Sequence, residues 1–194
     1  MVKRQRKIIV YIASSADGYI ARADGTVDWL NRPRTAGDYG MSAFYRSIDT
    51  ILWGRKTLDI ALGFQKKGLK GSSFDASVKN YVFSRKSPRK PVPGVEFVNE
   101  PINDFARRLR NTPGKGIWMM GGAGIIGSFL DANEIDEFII HVIPTMIGEG
   151  IPLVQPKQRT VPLSLKAVER FKDGVIRLHY EVLRATTPRK SSRK

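Results

Sequence analysis

The sequence of 194 residues contains no cysteine, only two histidines and no long apolar run. Without cysteine the chain has no disulfide, no thiolate metal ligand and no cysteine nucleophile. The two histidines, His141 and His179, are too few for a histidine-rich metal site. No stretch approaches the roughly 18 apolar residues that a membrane helix needs. The apolar run at 8–13 is also too short for a signal peptide. These absences predict a cytoplasmic protein with no metal site.

Acidic residues are scarce relative to basic ones. The sequence has 18 Asp and Glu and 33 Lys and Arg, which gives a net charge of +15. Such an excess is typical of proteins that bind a polyanion, such as a nucleic acid. However, nine of the basic residues lie in the first seven and last eleven positions, where there is no acid. Residues 8–183 therefore hold 24 basic and 18 acidic residues, a net charge of +6. We expect one mildly basic domain over 7–184, between a basic extension at 1–6 and a disordered basic tail at 185–194.

Buried, β-branched runs alternate with helical patterns, which predicts an α/β domain with a mainly parallel sheet. The pair Asp173-Gly174 is a hairpin signal between alternating segments at 161–168 and 176–182, so the sheet should end in an antiparallel hairpin. Buried strands are predicted at 8–12, 50–53, 80–84, 95–98, 117–120 and 137–143. Helices are predicted at 38–47, 56–62 (ended by Gly63), 101–110 and 125–131, with a short helical turn at 28–30 and loops at 14–25, 64–76 and 85–93.

Three junctions that follow predicted strands carry groups suited to an anion. The first is Trp53-Gly54-Arg55-Lys56-Thr57. Its glycine permits a tight turn, and its cations, hydroxyl group and helix N–H groups can hold a phosphate. The alternative is a plain turn with solvated cations.

The second junction is Met119-Met120-Gly121-Gly122-Ala123-Gly124. Its glycines would let the backbone approach a ligand, and the following helix N-terminus favours a pyrophosphate. Gly122-x-Gly124-x-x-Gly127 matches the G-x-G-x-x-G spacing, although a lone match is weak evidence. The alternative is close packing of helix and strand.

The third junction is Tyr81-Val82-Phe83-Ser84-Arg85-Lys86. A hydroxyl group and a bidentate arginine suit the 2′-phosphate of NADP, whereas the alternative is a basic loop. Carboxyl ends of parallel strands meet at one edge of a sheet, so the three junctions together favour a dinucleotide lying across that edge.

The order and spacing of these segments resemble the dihydrofolate reductase superfamily over roughly residues 7–184. Within it, the chain is most similar to the branch that includes the reductase domain of riboflavin biosynthesis. The residues that carry this resemblance are Ser15-Ala16-Asp17-Gly18 after the first strand, Trp29 soon after it, Gly121-Gly122-Ala123-Gly124, His141-Val142-Ile143-Pro144 and Gly148-Glu149-Gly150-Ile151-Pro152-Leu153.

The resemblance implies a three-layer α/β/α fold, NADPH as cofactor, and hydride transfer to a pyrimidine- or pterin-type substrate, as in 5-amino-6-(5-phosphoribosylamino)uracil reductase. It also implies a homodimer. Ser84 and Arg85 would hold the 2′-phosphate, and Ala13 and Ile20 would bracket the nicotinamide. The full set of implied cofactor residues is Ala13, Ile20, Gly54, Arg55, Lys56, Thr57, Ser84, Arg85, Gly121, Gly122, Ala123, Gly124 and Ile125.

Asp38 is the candidate catalytic acid, because the resemblance places it where dihydrofolate reductases carry a single carboxylate facing the pterin. A carboxylate in an apolar pocket can hydrogen-bond a substrate ring and assist its protonation. The alternative is that Asp38 caps a helix. The implied substrate-side residues are Asp17, Trp29, Tyr45 and Pro144. The alternatives, which the residue types themselves favour, are that Asp17 is a structural turn residue and Tyr45 a buried helix aromatic. His141 is expected to be a packed strand residue.

Departures from the family patterns leave the substrate open. An Asp-Asp-Pro segment typical of the riboflavin enzyme is replaced by Gly63-Phe64-Gln65-Lys66-Lys67, and the deaminase signatures are absent. The Pro-Trp loop of true dihydrofolate reductases is absent too. A dihydrofolate or pterin reductase is therefore an alternative. Two further alternatives are a nucleic-acid-binding protein, with weak nonspecific contacts through the tails, and a non-catalytic homodimer that binds the cofactor.

Overall fold

A computed structural model describes residues 6–33, 37–66, 75, 77–86 and 91–184. The predicted tail at 185–194, most of the extension at 1–6 and most of the predicted loop at 64–76 lie outside these residues. Four positions of the predicted connection at 85–93 do so as well. Within the described ranges, no helix is long and apolar enough to span a membrane.

A central sheet of eight strands has the order β5-β4-β3-β6-β1-β7-β10-β9. Its first six strands in this order are parallel, and β10 and β9 are antiparallel to their neighbours. The sheet strands are β1 (Ile8–Ser15), β3 (Ile48–Gly54), β4 (Lys79–Phe83), β5 (Val95–Val98), β6 (Gly116–Gly121), β7 (Glu137–Ile143), β9 (Leu163–Arg170) and β10 (Ile176–Val182). A separate small sheet pairs β2 (Tyr19–Ala21) with β8 (Ile151–Pro152).

Helices cover both faces of the central sheet, and the fold is the predicted three-layer α/β/α arrangement. They are α1 (Met41–Arg46), α2 (Arg55–Lys66), α3 (Ile102–Asn111) and α4 (Ala123–Asp131), with a 3-10 turn at Asp28–Leu30. On one face, Phe105 of α3 and Phe129 of α4 are fully buried in the larger core. On the other face, Phe44 of α1 and Leu58 of α2 pack in a second core that contains Trp53 and Trp118. Burial on both faces explains why the central strands read as unbroken apolar runs.

Two strand predictions need correction. The predicted loop at 14–25 is wrong in part, because β1 continues to Ser15 and β2 begins four residues later. The serines extend β1 because their backbones pair with β7 up to Ile143. β2 and β8 were not predicted. Each is too short to show an alternating pattern, and their partners lie about 130 residues apart in sequence.

Helix boundaries also differ from the prediction. The helix predicted at 38–47 begins at Met41, because Tyr39 and Gly40 have positive φ values of 55° and 84°. The helix predicted at 56–62 begins at Arg55 and passes through Gly63 to Lys66. A glycine inside a helix costs only about 1 kcal/mol relative to alanine, and burial of Leu58 opposes that cost. The fourth helix starts at Ala123, two residues earlier than predicted.

The terminal hairpin at Asp173-Gly174 is confirmed, and Gly174 has the positive φ of 86° that such a turn requires. Among the strands that the structure describes, its outer strand β9 has a neighbour on one side only. The apolar side chains of β9 are largely exposed, with Leu165 at 54% and Val168 at 56%. The alternating pattern of this segment therefore predicted a strand correctly, while much of its apolar side remains uncovered.

Two arginines are buried where β1 begins, and neither was predicted. Arg110 on α3 donates through Nη1 to the Arg6 carbonyl and to Asp136 Oδ2, both at 2.7 Å. Its Nη2 donates to the Glu134 carbonyl at 2.9 Å. The Arg6 guanidinium in turn donates to Thr50 Oγ1 at 2.8 Å and pairs with Asp49. This network joins the start of β1 to β3, to α3 and to the residues just before β7.

Candidate functional site

A cleft of about 570 Å³ lies at the carboxyl ends of β1, β3, β6 and β7. Most of its lining is apolar, and the rings of Tyr11, Trp53 and Trp118 contribute to it. The small sheet supplies Ile20 and Ile151 to another part of the wall. A large apolar cleft at the carboxyl edge of a parallel sheet is the usual place for a ligand in such folds.

The first and second glycine junctions meet beside this cleft. A Cβ atom placed on Gly54 would lie 3.3 Å from the Gly121 carbonyl oxygen and 3.5 Å from the Gly122 nitrogen. A Cβ atom on Gly122 would lie 3.3 Å from Thr57 Oγ1 and 3.7 Å from Ile20 Cδ1. The peptide bond between Gly121 and Gly122 is cis. The backbones of these two junctions therefore pack closely, and they do so at the edge of a ligand-sized cleft.

The third junction lies next to the first, because Phe83 at the end of β4 pairs with Gly54 at the end of β3. Ser84 Oγ donates to the Lys86 carbonyl at 2.7 Å, which forms a turn that carries Arg85 between them. Ends of three adjacent strands thus bring hydroxyl groups, glycines and cations to one edge of the sheet.

The predicted cofactor residues divide into two groups. Ala13, Ile20, Thr57 and Gly122 line the cleft itself. Arg55 lies beside it, where its Nε is 3.0 Å from both carboxylate oxygens of Asp59 and its guanidinium stacks over Phe97. The members that are near the ends of β3, β4 and β6 but outside the lining are Gly54, Arg55, Lys56, Ser84, Arg85, Gly121, Ala123, Gly124 and Ile125.

Asp38 lines the cleft and also precedes α1. Its carboxylate accepts hydrogen bonds from the backbone N–H of Gly40 at 3.0 Å and of Ser42 at 2.7 Å. Hydrogen bonds from the side chain and backbone of Ser42, and then from Gly40, lower the pKa of Asp38 to about 2. Asp38 is exposed and stands two residues before Gly40, the N-cap of α1, so it binds the first turn of the helix without being the N-cap residue itself. At neutral pH its carboxylate is ionised and acts as a hydrogen-bond acceptor.

Removing the Ser42 hydroxyl should raise the pKa of Asp38 toward its ordinary value of 3.8, because that hydroxyl makes the largest contribution to the shift. The folded-state pKa lies below the unfolded value, so the stabilisation by Asp38 is present above pH 3.8 and is lost as the pH falls toward 2. Carboxyl carbon NMR titration of wild type and Ser42→Ala measures this directly. Asp24, whose hydrogen bonds come from Thr26, is the internal control and should titrate alike in both proteins.

The four predicted substrate-side residues are not among the residues that line the cleft. Asp17 accepts hydrogen bonds from the backbone N–H of Ile147 and Gly148 and thereby holds the loop before β8. Trp29 is buried against Ile143 and Val175, which do line the cleft. The remaining two are Tyr45, which donates to Asp75 at 2.7 Å, and Pro144, which lies close to Gly174.

One polar group in the cleft lining was expected from the sequence only as a packed strand residue. His141 is 5% exposed, as expected for a packed strand residue, yet it lines the cleft together with Tyr11 and Tyr39. Its Nε2 lies 3.1 Å from the Tyr39 carbonyl oxygen and 3.4 Å from the Tyr11 hydroxyl. Burial lowers the pKa of His141 and raises the pKa of Tyr11 to about 12, so both rings are neutral near pH 7. The feature that places His141 beside the cleft is the register between β1 and β7, in which Ala13 pairs with His141.

The sheet order and the cleft define a reductase-type α/β fold similar to that of dihydrofolate reductase. The Enterococcus faecalis dihydrofolate reductase complexed with NADP(H) and RAB-propyl superposes with a TM-score of 0.62 at 12% identity, covering 92% of this chain and 97% of that one. A likeness at this level of identity shows the fold. The family model of the RibD C-terminal domain matches residues 6–177. The chain belongs to this family.

Relatives support the same assignment. The uncharacterized protein YwjB of Bacillus subtilis is 38% identical over 177 residues, which cover 91% of this chain and 98% of YwjB. YyaP of the same organism is 33% identical over 183 residues, which cover 91% of this chain and 95% of YyaP. The crystal structure of a putative riboflavin biosynthesis protein from Shewanella sp. PV-4 is similar with a TM-score of 0.77 at 27% identity, covering 92% of this chain and 99% of that one.

Proposed function

We propose that this protein is an NADPH-dependent reductase that transfers a hydride to a planar pyrimidine- or pterin-type heterocycle. The observation that carries the proposal is the meeting of three glycine- and cation-bearing strand ends at one edge of the sheet, beside an apolar cleft. The membership in the RibD C-terminal domain family supports it. The NADP(H) complex of the similar dihydrofolate reductase fold supports the choice of cofactor.

The glycine junctions fit a nicotinamide dinucleotide. A side chain at Gly54 would crowd the Gly121 carbonyl oxygen and one at Gly122 would crowd the Thr57 hydroxyl group, so both positions leave room only for backbone at the edge of the cleft. In the proposed mode, Arg55, Lys56 and the start of α4 hold the phosphates, while Ser84 and Arg85 hold the 2′-phosphate. NADPH, when bound, supplies a hydride to an electrophilic carbon.

The protein's own contribution is mainly positioning and exclusion of water. Ala13 and Ile20, on opposite sides of the turn between β1 and β2, line the cleft and would confine the nicotinamide ring. Asp38 would accept a hydrogen bond from a ring N–H of the substrate, because its carboxylate is ionised. This role orients the heterocycle, and it places Asp38 in contact with substrate without making it the proton donor.

The Arg85→Ala variant should bind NADPH about ten- to a hundredfold more weakly while its affinity for NADH stays unchanged. The expected loss is that of a charge-assisted contact to the 2′-phosphate, worth about 1.5–3 kcal/mol. Isothermal titration of both nucleotides with wild type and variant measures it. Lys79→Ala, which changes an exposed cation at the opposite end of the same strand, is the control. Equal weakening of both nucleotides by Arg85→Ala contradicts the assignment of this residue to the 2′-phosphate.

A homodimer is part of the proposal. Support comes from β9, an edge strand with exposed apolar side chains at Leu163, Leu165 and Val168, because an uncovered apolar edge is a frequent interface. Sedimentation equilibrium with wild type and Leu165→Lys tests it, and a wild-type monomer at micromolar concentration contradicts it.

A second candidate function, weak nucleic-acid binding through the basic ends, rests on the net charge of +15. Such binding is electrostatic and should fall steeply with salt. Gel shifts with the full chain and with a chain lacking residues 1–5 and 185–194, which keeps the buried Arg6, separate binding by the basic ends from binding by the domain. Affinity that survives the deletion would assign nucleic-acid recognition to the domain itself.

A further inference from the structure

Arg32 is a basic side chain in the lining of the cleft that no function assigned so far uses. It follows the 3-10 turn at Asp28–Leu30, where its backbone N–H donates to the Leu30 carbonyl at 3.0 Å. Arg32 lines the cleft with Leu30, Asp38 and Tyr39. This lining belongs to the end of the cleft where Asp38 and His141 lie, away from Thr57 and Gly122.

Of the two terminal nitrogens of the Arg32 guanidinium, only Nη2 donates a hydrogen bond to a described residue. Nη2 donates to the Asp173 carbonyl oxygen at 2.6 Å. Nη1 lies 3.8 Å from Asp173 Oδ2, which is an ion-pair distance but too long for a hydrogen bond. Nη1 is buried and has no hydrogen-bond partner among the described residues. A buried donor without an acceptor is costly, and in native structures it calls for an explanation.

Asp173 does not supply the missing acceptor, because its Oδ2 lies 3.8 Å from Nη1 and both of its oxygens accept hydrogen bonds from other groups. Oδ2 accepts the Tyr39 hydroxyl, and Oδ1 accepts the backbone N–H of Val175 at 3.3 Å. The carboxylate of Asp173 is 6% exposed. Hydrogen bonds from Tyr39, with smaller contributions from Val175 and Arg32, lower the pKa of Asp173, so it is ionised and balances the charge of Arg32.

We propose that Arg32 is a substrate-recognition residue whose Nη1 donates a hydrogen bond to a carbonyl oxygen of the heterocycle bound in the cleft. This inference rests on the proposed function for the identity of the ligand as a heterocycle. The side chain of Arg32 is 24% exposed, whereas Nη1 itself is covered. Binding therefore requires a rotation of the guanidinium toward the cleft. No Nη1 hydrogen bond is broken by this rotation, but because the guanidinium is rigid and planar the same movement also shifts Nη2, which donates to the Asp173 carbonyl oxygen.

The local charge favours a neutral carbonyl oxygen over a phosphate. The charge of Arg32 is balanced by Asp173, and the ionised carboxylate of Asp38 lines the same end of the cleft. A phosphate there would face the carboxylates of Asp173 and Asp38, while the other nearby cation, Arg177, is paired with Glu169. A lactam ring instead presents an N–H group to Asp38 and a C=O group to Arg32, which matches one acceptor and one donor of the protein. A pocket of this kind discriminates strongly against a ring that lacks the matching group.

The test uses two probes, pterin and 2,4-diaminopteridine, which carry a carbonyl oxygen and an amino group at the same ring position. Binding to the full chain is followed by quenching of tryptophan fluorescence, because Trp53 and Trp118 line the cleft. Arg32→Met should weaken pterin about tenfold or more and leave 2,4-diaminopteridine within about twofold. Arg32→Lys, which keeps a charged donor, should recover part of the loss. Arg22→Met, which removes an exposed arginine paired with Asp28, should change neither probe.

Three results would overturn the proposal: equal weakening of both probes by Arg32→Met, no weakening of either, or a wild-type protein that binds neither.

A second comparison, between uridine and uridine 5′-phosphate, tests whether the subsite binds an anion instead. A phosphate that tightens binding to wild type but not to Arg32→Met would assign the subsite to an anion and contradict the carbonyl. Titration of NADPH separates this inference from the proposed function. Loss of the pterin preference with NADPH binding intact supports Arg32, whereas a wild-type protein that binds pterin but not NADPH contradicts only the reductase.

Discussion

The Gly122→Val variant should bind NADPH at least about a hundredfold more weakly than wild type, a loss of about 2.8 kcal/mol. A Cβ atom at this position already lies 3.3 Å from Thr57 Oγ1 and 3.7 Å from Ile20 Cδ1. The two methyl groups of valine would therefore occupy the space in which the proposed cofactor approaches the backbone. Isothermal titration with NADPH measures the loss, and a thermal melt shows whether the variant is folded.

The matched control is Gly63→Ala on α2. A Cβ atom there meets nothing within 4 Å, and the position lies inside a helix away from the glycine junctions. This variant should keep the NADPH affinity of wild type and gain about 0.5–1 kcal/mol of stability, because alanine is the better helix former. A folded Gly122→Val protein that still binds NADPH like wild type would show that the cofactor does not lie against this glycine.

The Arg110→Ala variant should lose about 3–5 kcal/mol of unfolding free energy, the range measured when one partner of a buried ion pair is removed. The Arg110 side chain is 4% exposed, while those of its partners Glu134 and Asp136 are 18% and 17% exposed. Truncation would leave both carboxylates without their shared cation and the Arg6 carbonyl without its donor. Urea unfolding followed by circular dichroism measures the change.

Arg107, three residues earlier on the same helix, provides the comparison. Its side chain is 71% exposed and pairs with Asp104 at 3.3 Å. An exposed pair of this kind contributes little, so Arg107→Ala should change the unfolding free energy by no more than about 0.5 kcal/mol. If the two variants lost similar stability, the helix itself and not the buried network would be the cause.

The architecture was predictable because the parallel strands are buried on both faces, and burial of this kind leaves apolar runs in the sequence. The segments at 95–98 and 137–143 were predicted with the bounds that the structure shows. The small sheet was not predictable, because β2 and β8 have three and two residues and are defined by each other. The start of α1 was predicted too early, because the positive φ values of Tyr39 and Gly40 exclude these residues from the helix.

The candidate site was predictable where it depends on backbone and less so where it depends on tertiary contacts. Glycines at the strand ends indicate, from the sequence alone, that two backbone segments pack closely there. The structure brings Gly54 and Gly122 together. Asp38 was identified through family resemblance, and the structure places it in the cleft lining. Arg32 gave no local signal, because its significance depends on Asp173, which lies 141 positions further along the chain.

The central place of β1 has a consequence for how the protein is made. Its two neighbours are β6 and β7, so Ile8 pairs with Ile117 and Ile9 pairs with Glu137. β1 therefore stays without either partner until about 110 further residues have been synthesised. Pairings this distant are slow to close, and the exposed strand is open to association with other chains meanwhile. We expect folding to be limited by insertion of this amino-terminal segment, and chaperones that hold nascent apolar strands to increase the yield.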